Sequence, residues 1–389
     1  MPTQTLRIPL SAPDITSDDM QAVLQALADG ALSLGPRLTE FERLFAQRFG
    51  IRHAVAVNSG TSGLHLCIKA AAISDADEVI TSPFSFVASA NCILFERGVP
   101  VFADIDPVSW NLDASLMEQA LSPRTRAILP VHAFGRPCEM HKILEFAARH
   151  GLSVIEDSCE AIGATHNGKA VGTFGQTGVF AFYPNKQVTT GEGGMVVTND
   201  DKLAALCRSW RNQGRDEQNG WLQHQRMGYN YRLSDLHCAL GISQLRRLDE
   251  ILAARARVAA LYKEALQDVR QIVLPPPCPP GTQMSWFVFV VRLQDDFTRE
   301  DRDALLSELR ERGIGCSNYF APIHLQPFYQ EMFGFRRGDF PVTEHVADRT
   351  VALPFFTRLS EPEIEYVSAT LRKVLFSLRV NSIARSACK

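Results

Sequence analysis

From about residue 53 to 157 the chain repeats one pattern: a short β-branched run, a turn of Gly, Ser, Pro or Asp, then an amphipathic stretch. The apolar runs are HAVAV (53–57), EVITS (78–82), VPVFAD (99–104), RAILPVH (126–132) and LSVIED (152–157). Between most of them lie LHLCIKAAA (64–72), LDASLMEQAL (112–121) and MHKILEFAARHG (140–151), whose apolar positions recur at helical spacing and the last of which closes on Gly151. Strand and helix signals alternating in this way predict a mainly parallel sheet covered by helices on both faces. GVFAFY (178–183) and GGMVVTN (193–199) extend that sheet.

Beyond residue 200 the strand signals thin out. The segment 234–266 carries apolar residues at helical spacing for many turns, with Ser234 as N-cap and a break at Asp249 between two helices. PPPCPPG (275–281) cannot be helix or central strand, and WFVFVVRL (286–293) reads as the core strand of a smaller unit with helices at 299–312 and 361–377. The expected division is an N-terminal arm and large α/β domain over 1–248, and a smaller α+β domain over 249–389. Two amphipathic segments, 17–30 and 38–50, each ending in Gly, form the arm, and the final RVNSIARSACK reads as a frayed basic tail.

Composition narrows the function. The 389 residues are 46% hydrophobic and 21% charged, which is ordinary for a globular enzyme and excludes disorder as the organising theme. A formal net charge of −3 with no block of one sign gives no nucleic-acid footprint. Nine cysteines without a C-x-x-C pair suggest reduced thiols, not a disulfide framework or zinc site, and no histidine has metal-ligand spacing, so no metal is expected. The N-terminus lacks a signal peptide and no apolar stretch is long enough to span a bilayer, so a cytoplasmic protein without a membrane partner is the expectation.

In an open α/β sheet, ligands gather beyond the carboxyl ends of the strands. NSGTSG (58–63) follows one run and opens a helix, so Gly60, Thr61 and Ser62 form either an anion cradle or a plain Gly-rich turn. Asp157 ends an apolar strand, where a carboxylate can hold a protonated ring nitrogen or merely cap a helix. Lys186 lies in a turn between two strands, where an amine kept from water becomes nucleophilic, although most loop lysines are simply solvated. Glu192 is a further carboxylate in the TTGEGG bend. Phe84 and Phe86 end another run, and one of them could stack on a planar ring. Each signal is weak alone, but a phosphate cradle, a stacking ring, a carboxylate and a lysine together meet the needs of pyridoxal phosphate.

The segments GTSGLHL, SPFSFVAS, IEDSCEAIGA, YPNKQVTTGEGGMVV and MGYNYRLSDLHCALGISQLRRLD, in this order, resemble the DegT/DnrJ/EryC1/StrS family of sugar aminotransferases from about residue 8 to 375. The resemblance implies an aspartate aminotransferase-like fold (fold type I), pyridoxal 5′-phosphate as cofactor, and a homodimer with shared active sites. It implies Lys186 as Schiff-base lysine and proton carrier, Asp157 on the pyridine nitrogen, Phe86 on the ring, and Gly60, Thr61 and Ser62 on the phosphate. Asn230 would reach the phosphate from the partner subunit, Glu160 would lie near the ring or substrate, and His324 would line the substrate cleft. Two positions depart from the family pattern: Ala181 stands where many members have a phosphate-binding serine, and Glu160 where Gln or His is frequent.

The function this implies is transfer of an amino group, usually from glutamate, to a keto group of a nucleotide-linked deoxysugar, giving an aminosugar for a surface polysaccharide or a glycosylated natural product. A keto-cyclitol is the alternative acceptor. Members with histidine in place of the lysine are dehydratases, and Lys186 argues against that chemistry. A dinucleotide oxidoreductase would need G-x-G-x-x-G where this chain has NSGTSG, and a regulatory role would need a DNA-binding module. His65 and His132 are expected to be structural.

Overall fold

The structure is a computed structural model that describes residues 7–216 and 222–387, with side chains through residue 379. Seven strands form the central sheet: β1 (His53–Val57), β2 (Glu78–Thr81), β3 (Val99–Phe102), β4 (Thr125–Leu129), β5 (Ser153–Asp157), β6 (Thr177–Ala181) and β7 (Gly194–Thr198). Their order is β1-β7-β6-β5-β4-β2-β3. Strands β2 to β6 pair in parallel, whereas β7 runs antiparallel to both neighbours, β1 and β6. The mainly parallel sheet expected from the apolar runs is present, and β7 is the one reversed strand in it.

Burial on both faces explains why these runs read as nearly continuous apolar segments. Val55 and Val57 of β1 point into a core shared with Leu64, Ile155, Val179 and Val196, while Ala54 and Ala56 point into another with Phe41, Phe180 and Met195. The first core is roofed by α3 (Gly60–Ala70) and α6 (Asp201–Arg211), the second by α2 (Pro36–Phe49) and α7 (Asp235–Arg246). Further along the sheet, α5 (Met140–His150) packs Met140 and Ile143 on Ile80, Ile128 and Val154, and ends on Gly151 at φ 65°. The N-terminal helix α1 (Ser17–Asp29) carries a Thr16–Asp19 capping box and packs on α7.

The long helical segment breaks at Arg247, not at Asp249 as the sequence pattern suggested, into α7 and α8 (Leu248–Leu266). Ser234 caps α7 by accepting from His237 N. The start of α8, at Leu248 and Leu252, belongs to the core of the large sheet, and Val258, Tyr262 and Leu266 belong to the C-terminal core. One helix therefore enters both units. The C-terminal core also takes in Ile8 from the amino-terminal arm, which bridges to Ile314. The small sheet contains β8 (Ile272–Val273), β9 (Phe289–Leu293) and β10 (Thr350–Leu353), flanked by α9 (Arg299–Glu311) and α10 (Glu361–Ala387).

Two further sequence expectations change. LDASLMEQAL forms only a 3₁₀ turn over Ala114–Leu116 and a single α turn over Met117–Ala120, because Asp113 caps the first turn and Ser122 and Pro123 follow closely. The basic tail read as frayed continues α10 to Ala387. Among the described residues no helix is long and apolar enough to cross a membrane.

Helix α3 is held to the sheet by a close approach at Gly63, where an added side-chain carbon would lie 2.7 Å from Val179 Cγ1. Gly63→Ala should therefore destabilise the fold by about 1–3 kcal/mol through overpacking, although alanine is the better helix former by about 1 kcal/mol. Urea unfolding checks this, and a stabilised variant would contradict it.

Candidate active site

The carboxyl ends of β5 and β6 and the amino end of α3 meet at one place. A side-chain carbon on Gly60 would stand 2.8 Å from Ala181 Cβ and 3.0 Å from Cys159 Sγ, so no larger residue fits without movement. Ser59 caps the helix: its hydroxyl accepts from Ser62 N at 3.0 Å. The Ser62 hydroxyl donates to Asn58 Oδ1 at 2.7 Å. The first N–H groups of α3, at Gly60 and Thr61, have no upstream helical carbonyl to bond, the ordinary basis of an anion site. Sequence reading passed over Ser59, whose place before G-T-S is the signal of a cap.

Asp157 lies at the end of β5 and is 4% exposed. Ser89 Oγ donates to its Oδ2 at 2.7 Å, and Cys159 N donates to its Oδ1 at 3.1 Å. No helix follows Asp157, so it caps none. Ser89 lies in α4 (Ala88–Phe95), and its hydroxyl also shares a hydrogen bond with Ser85. The two phenylalanines before α4 part ways: Phe84 is buried among Trp110, Phe134 and Phe320, while Phe86 is 63% exposed. An exposed ring one turn before the serine that holds Asp157 is free to cover a ligand.

Lys186 sits in the turn after β6, where its N–H bonds Tyr183 O at 2.9 Å. Its side chain is 13% exposed, its Nζ is 3.4 Å from Glu160 Oε1, and it lies 4.0 Å from the centre of the Phe287 ring. Glu160, 6% exposed, also accepts from Phe134 N at 2.9 Å through Oε2. Burial pushes the Glu160 carboxyl above its ordinary value, while Lys186 and the Phe134 N–H pull it back. Lys186 is thus a desolvated amine with one carboxylate beside it.

Asn230 has an exposed side chain, and its carbonyl accepts from Asn58 Nδ2 at 3.3 Å beside the cradle. It is flanked by Tyr229 and Tyr231, which stack at 4.9 Å. Glu192 is exposed on its bend. His324 is fully buried; its Nε2 is 2.9 Å from Glu344 Oε1 and its ring packs on Phe340. The structure does not bring His324 into contact with Lys186, Glu160 or Asp157. His65 and His132 are buried in networks with Glu96 and Tyr231, and with Glu156. Sequence reading missed Phe287, 101 residues beyond Lys186, because the run WFVFVVRL looked like core strand throughout, whereas β9 begins only at Phe289.

A lysine amine, a buried carboxylate, a helix N-terminus and an exposed aromatic ring are groups of the kind that pyridoxal phosphate needs. The chain matches the DegT/DnrJ/EryC1/StrS aminotransferase family over residues 13–372, and it belongs to that family. It is 39% identical over 372 residues to GDP-perosamine synthase of Caulobacter vibrioides, covering 95% of this chain and 98% of that one. It is 37% identical over 378 residues to the spore coat polysaccharide biosynthesis protein SpsC of Bacillus subtilis, covering 95% and 97%. Among solved structures it resembles Helicobacter pylori PseC, an aminotransferase involved in the biosynthesis of pseudoaminic acid, with TM-score 0.90 and 29% identity over 95% of this chain and 99% of that one. It also resembles S. venezuelae DesV in complex with a ketimine intermediate, with TM-score 0.86 and 34% identity over 92% and 94%. The protein is a pyridoxal-phosphate-dependent transaminase of the sugar aminotransferase family, with the aspartate aminotransferase-like fold.

The raised Glu160 carboxyl has a consequence for stability. Between the ordinary carboxyl range and the raised folded value, the native state binds more protons than the unfolded chain, so stability falls as pH rises through that window. Glu160→Gln removes this dependence. Denaturation of the cofactor-free proteins from about pH 4 upward should show wild type losing ground to the glutamine variant as pH rises; parallel curves would contradict the assignment.

Proposed function

We propose that this chain transfers the amino group of glutamate to the keto group of a nucleotide-linked deoxysugar, with Lys186 as the residue that holds the cofactor. The supporting observation is a shared neighbourhood: Cys159 donates its N–H to Asp157 and sets its Sγ 3.0 Å from where a side-chain carbon on Gly60 at the start of α3 would stand, and the Lys186 turn follows β6, the strand paired with that of Asp157. Pyridoxal phosphate, when bound, supplies an aldehyde that an amine can hold covalently and a protonated ring that accepts an electron pair.

The residues then divide the work. Gly60, Thr61 and the Ser62 turn would present N–H groups to the phosphate. Asp157, kept in orientation by Ser89 and Cys159, would hold a proton on the ring nitrogen. Phe86 would cover the ring face. Lys186 Nζ would be the base that moves a proton from the amino-acid Cα, a task worth about 10²–10⁴-fold in rate. Glu160, with Oε1 3.4 Å from that Nζ, is the carboxylate beside it. The close relation to a GDP-perosamine synthase supports a nucleotide diphosphate sugar as acceptor, and the relation to polysaccharide and pseudoaminic acid enzymes supports an aminosugar product. The keto-cyclitol alternative draws no support from these relatives.

We assign the working form as a homodimer in which Asn230 serves the partner subunit's cradle. Mass-spectrometric assay with glutamate and a panel of nucleotide 3-keto and 4-keto sugars should give an aminated product that Lys186→Ala lowers by about 10⁴-fold. Borohydride reduction of the loaded wild type should leave the cofactor on Lys186. An unmodified Lys186, or an active alanine variant, would sink the assignment. Mixing Lys186→Ala with Asn230→Ala copies should restore part of the activity if sites are shared between chains, and no recovery would contradict sharing.

Ala181 faces the cradle where a serine hydroxyl could reach the phosphate. Ala181→Ser should tighten cofactor retention by about 3–10-fold, the scale of one added hydrogen bond. Equilibrium dialysis checks this, and weaker retention would contradict the placement.

A further inference from the structure

We propose that Arg255 is a positioning residue for Lys186, a buried clasp that sets the lysine and the Phe287 ring on one frame across the junction of the two units. The inference rests on the reading of Lys186 given above.

Arg255 projects from α8 and is 3% exposed. Its Nη2 donates to Lys186 O at 3.1 Å, and its Nη1 donates to Phe287 O at 3.1 Å and Trp286 O at 3.4 Å. One guanidinium thus holds the main chain of the lysine turn and the segment that supplies the ring lying 4.0 Å from Lys186 Nζ. Gln187 completes the joint: its Nε2 donates to Glu160 O at 2.6 Å and Ser285 O at 2.8 Å. The two neighbours of the amine, Glu160 and Phe287, are therefore both tied to the turn that carries it.

The choice of residue is costly for packing alone. The guanidinium lies 5.6 Å from the centre of the Phe355 ring, its Nε has no hydrogen-bond partner, and among the described residues no carboxylate forms an ion pair with it. Burial pulls its pKa down to about 10 against the distant Asp14. An apolar side chain would fill this volume without burying a charge. What only arginine supplies is a planar fork that reaches carbonyls of two separate chain segments at once, which a lysine ammonium cannot match. A small displacement of a reacting group costs on the order of 10²-fold in rate, so a rigid tie at the lysine carbonyl has a functional use.

The test uses full-length protein loaded with pyridoxal phosphate, as wild type, Arg255→Met and Arg255→Lys. Both variants are expected to keep the borohydride-trapped adduct on Lys186 while kcat falls by about 10²-fold and KM changes much less. In Arg255→Met the loss of a buried positive charge favours a cation at Lys186 Nζ, so the pH midpoint of the visible cofactor band should move upward by about one unit, a tenfold lower proton concentration. In cofactor-free protein, amide exchange across the 183–188 turn should quicken in both variants. Arg255→Lys keeps charge and approximate volume, so it carries the test if the methionine variant does not fold. A wild-type pH midpoint, exchange rate and kcat with only a lowered melting temperature would overturn the proposal. If wild type itself gives no adduct on Lys186, the reading of the lysine fails and the clasp falls with it; a normal wild-type adduct with unmoved variants rejects the clasp alone.

Discussion

An amine and a carboxylate kept from water at 3.4 Å, Lys186 and Glu160, are the interaction on which the site depends. Such a pair contributes little to folding, because the cost of desolvating both ions is of the order of their attraction. Its retention in the interior is explained by chemistry. A lysine among the Phe287 ring, Glu160 and a tight turn has few geometries open to it, and a carbonyl carbon brought to its Nζ meets a positioned nucleophile in place of a solvated one.

The surrounding elements bring the pair to the same end of the sheet as the other residues of the proposed cofactor site. The sheet delivers Asp157 and the Lys186 turn at the ends of adjacent strands, and α3 brings its N-terminus to the same edge because Gly60 and Gly63 allow the helix to lie directly on β6. Ser89 reaches across from α4 to hold Asp157, which couples the exposed Phe86 segment to the carboxylate it would face through a ligand. The C-terminal unit is part of this architecture, not an appendage: it supplies Phe287 and the carbonyls that meet Arg255 and Gln187.

Much of this was legible in the sequence for a physical reason. Strands buried on both faces show as unbroken apolar runs, so HAVAV and the six runs after it placed the central sheet to within three residues. The candidate positions in short local motifs, Gly60 to Ser62, Asp157 and Lys186, stood out because each lies at or beyond the end of a strand. Features made by contact between distant segments were hidden. Ser89 lies 68 residues from Asp157, and Phe287 lies in a run whose apolar character is explained equally well by core packing. Helix ends were misplaced where polar residues form the helix: α3 begins at Gly60, in a G-T-S-G turn without apolar periodicity, and α10 continues through residues that looked like a charged tail. His324, placed by resemblance, is held in the structure by Glu344 under an aromatic cover.

A crystal structure of the protein grown with pyridoxal phosphate tests the central claim most directly. The expected result is continuous density from Lys186 Nζ to the cofactor, with the ring nitrogen within hydrogen-bond distance of Asp157 and the phosphate on the N-terminus of α3. A cofactor bound elsewhere, or lying in the same space without a bond to Lys186 and turned away from Asp157, would contradict it.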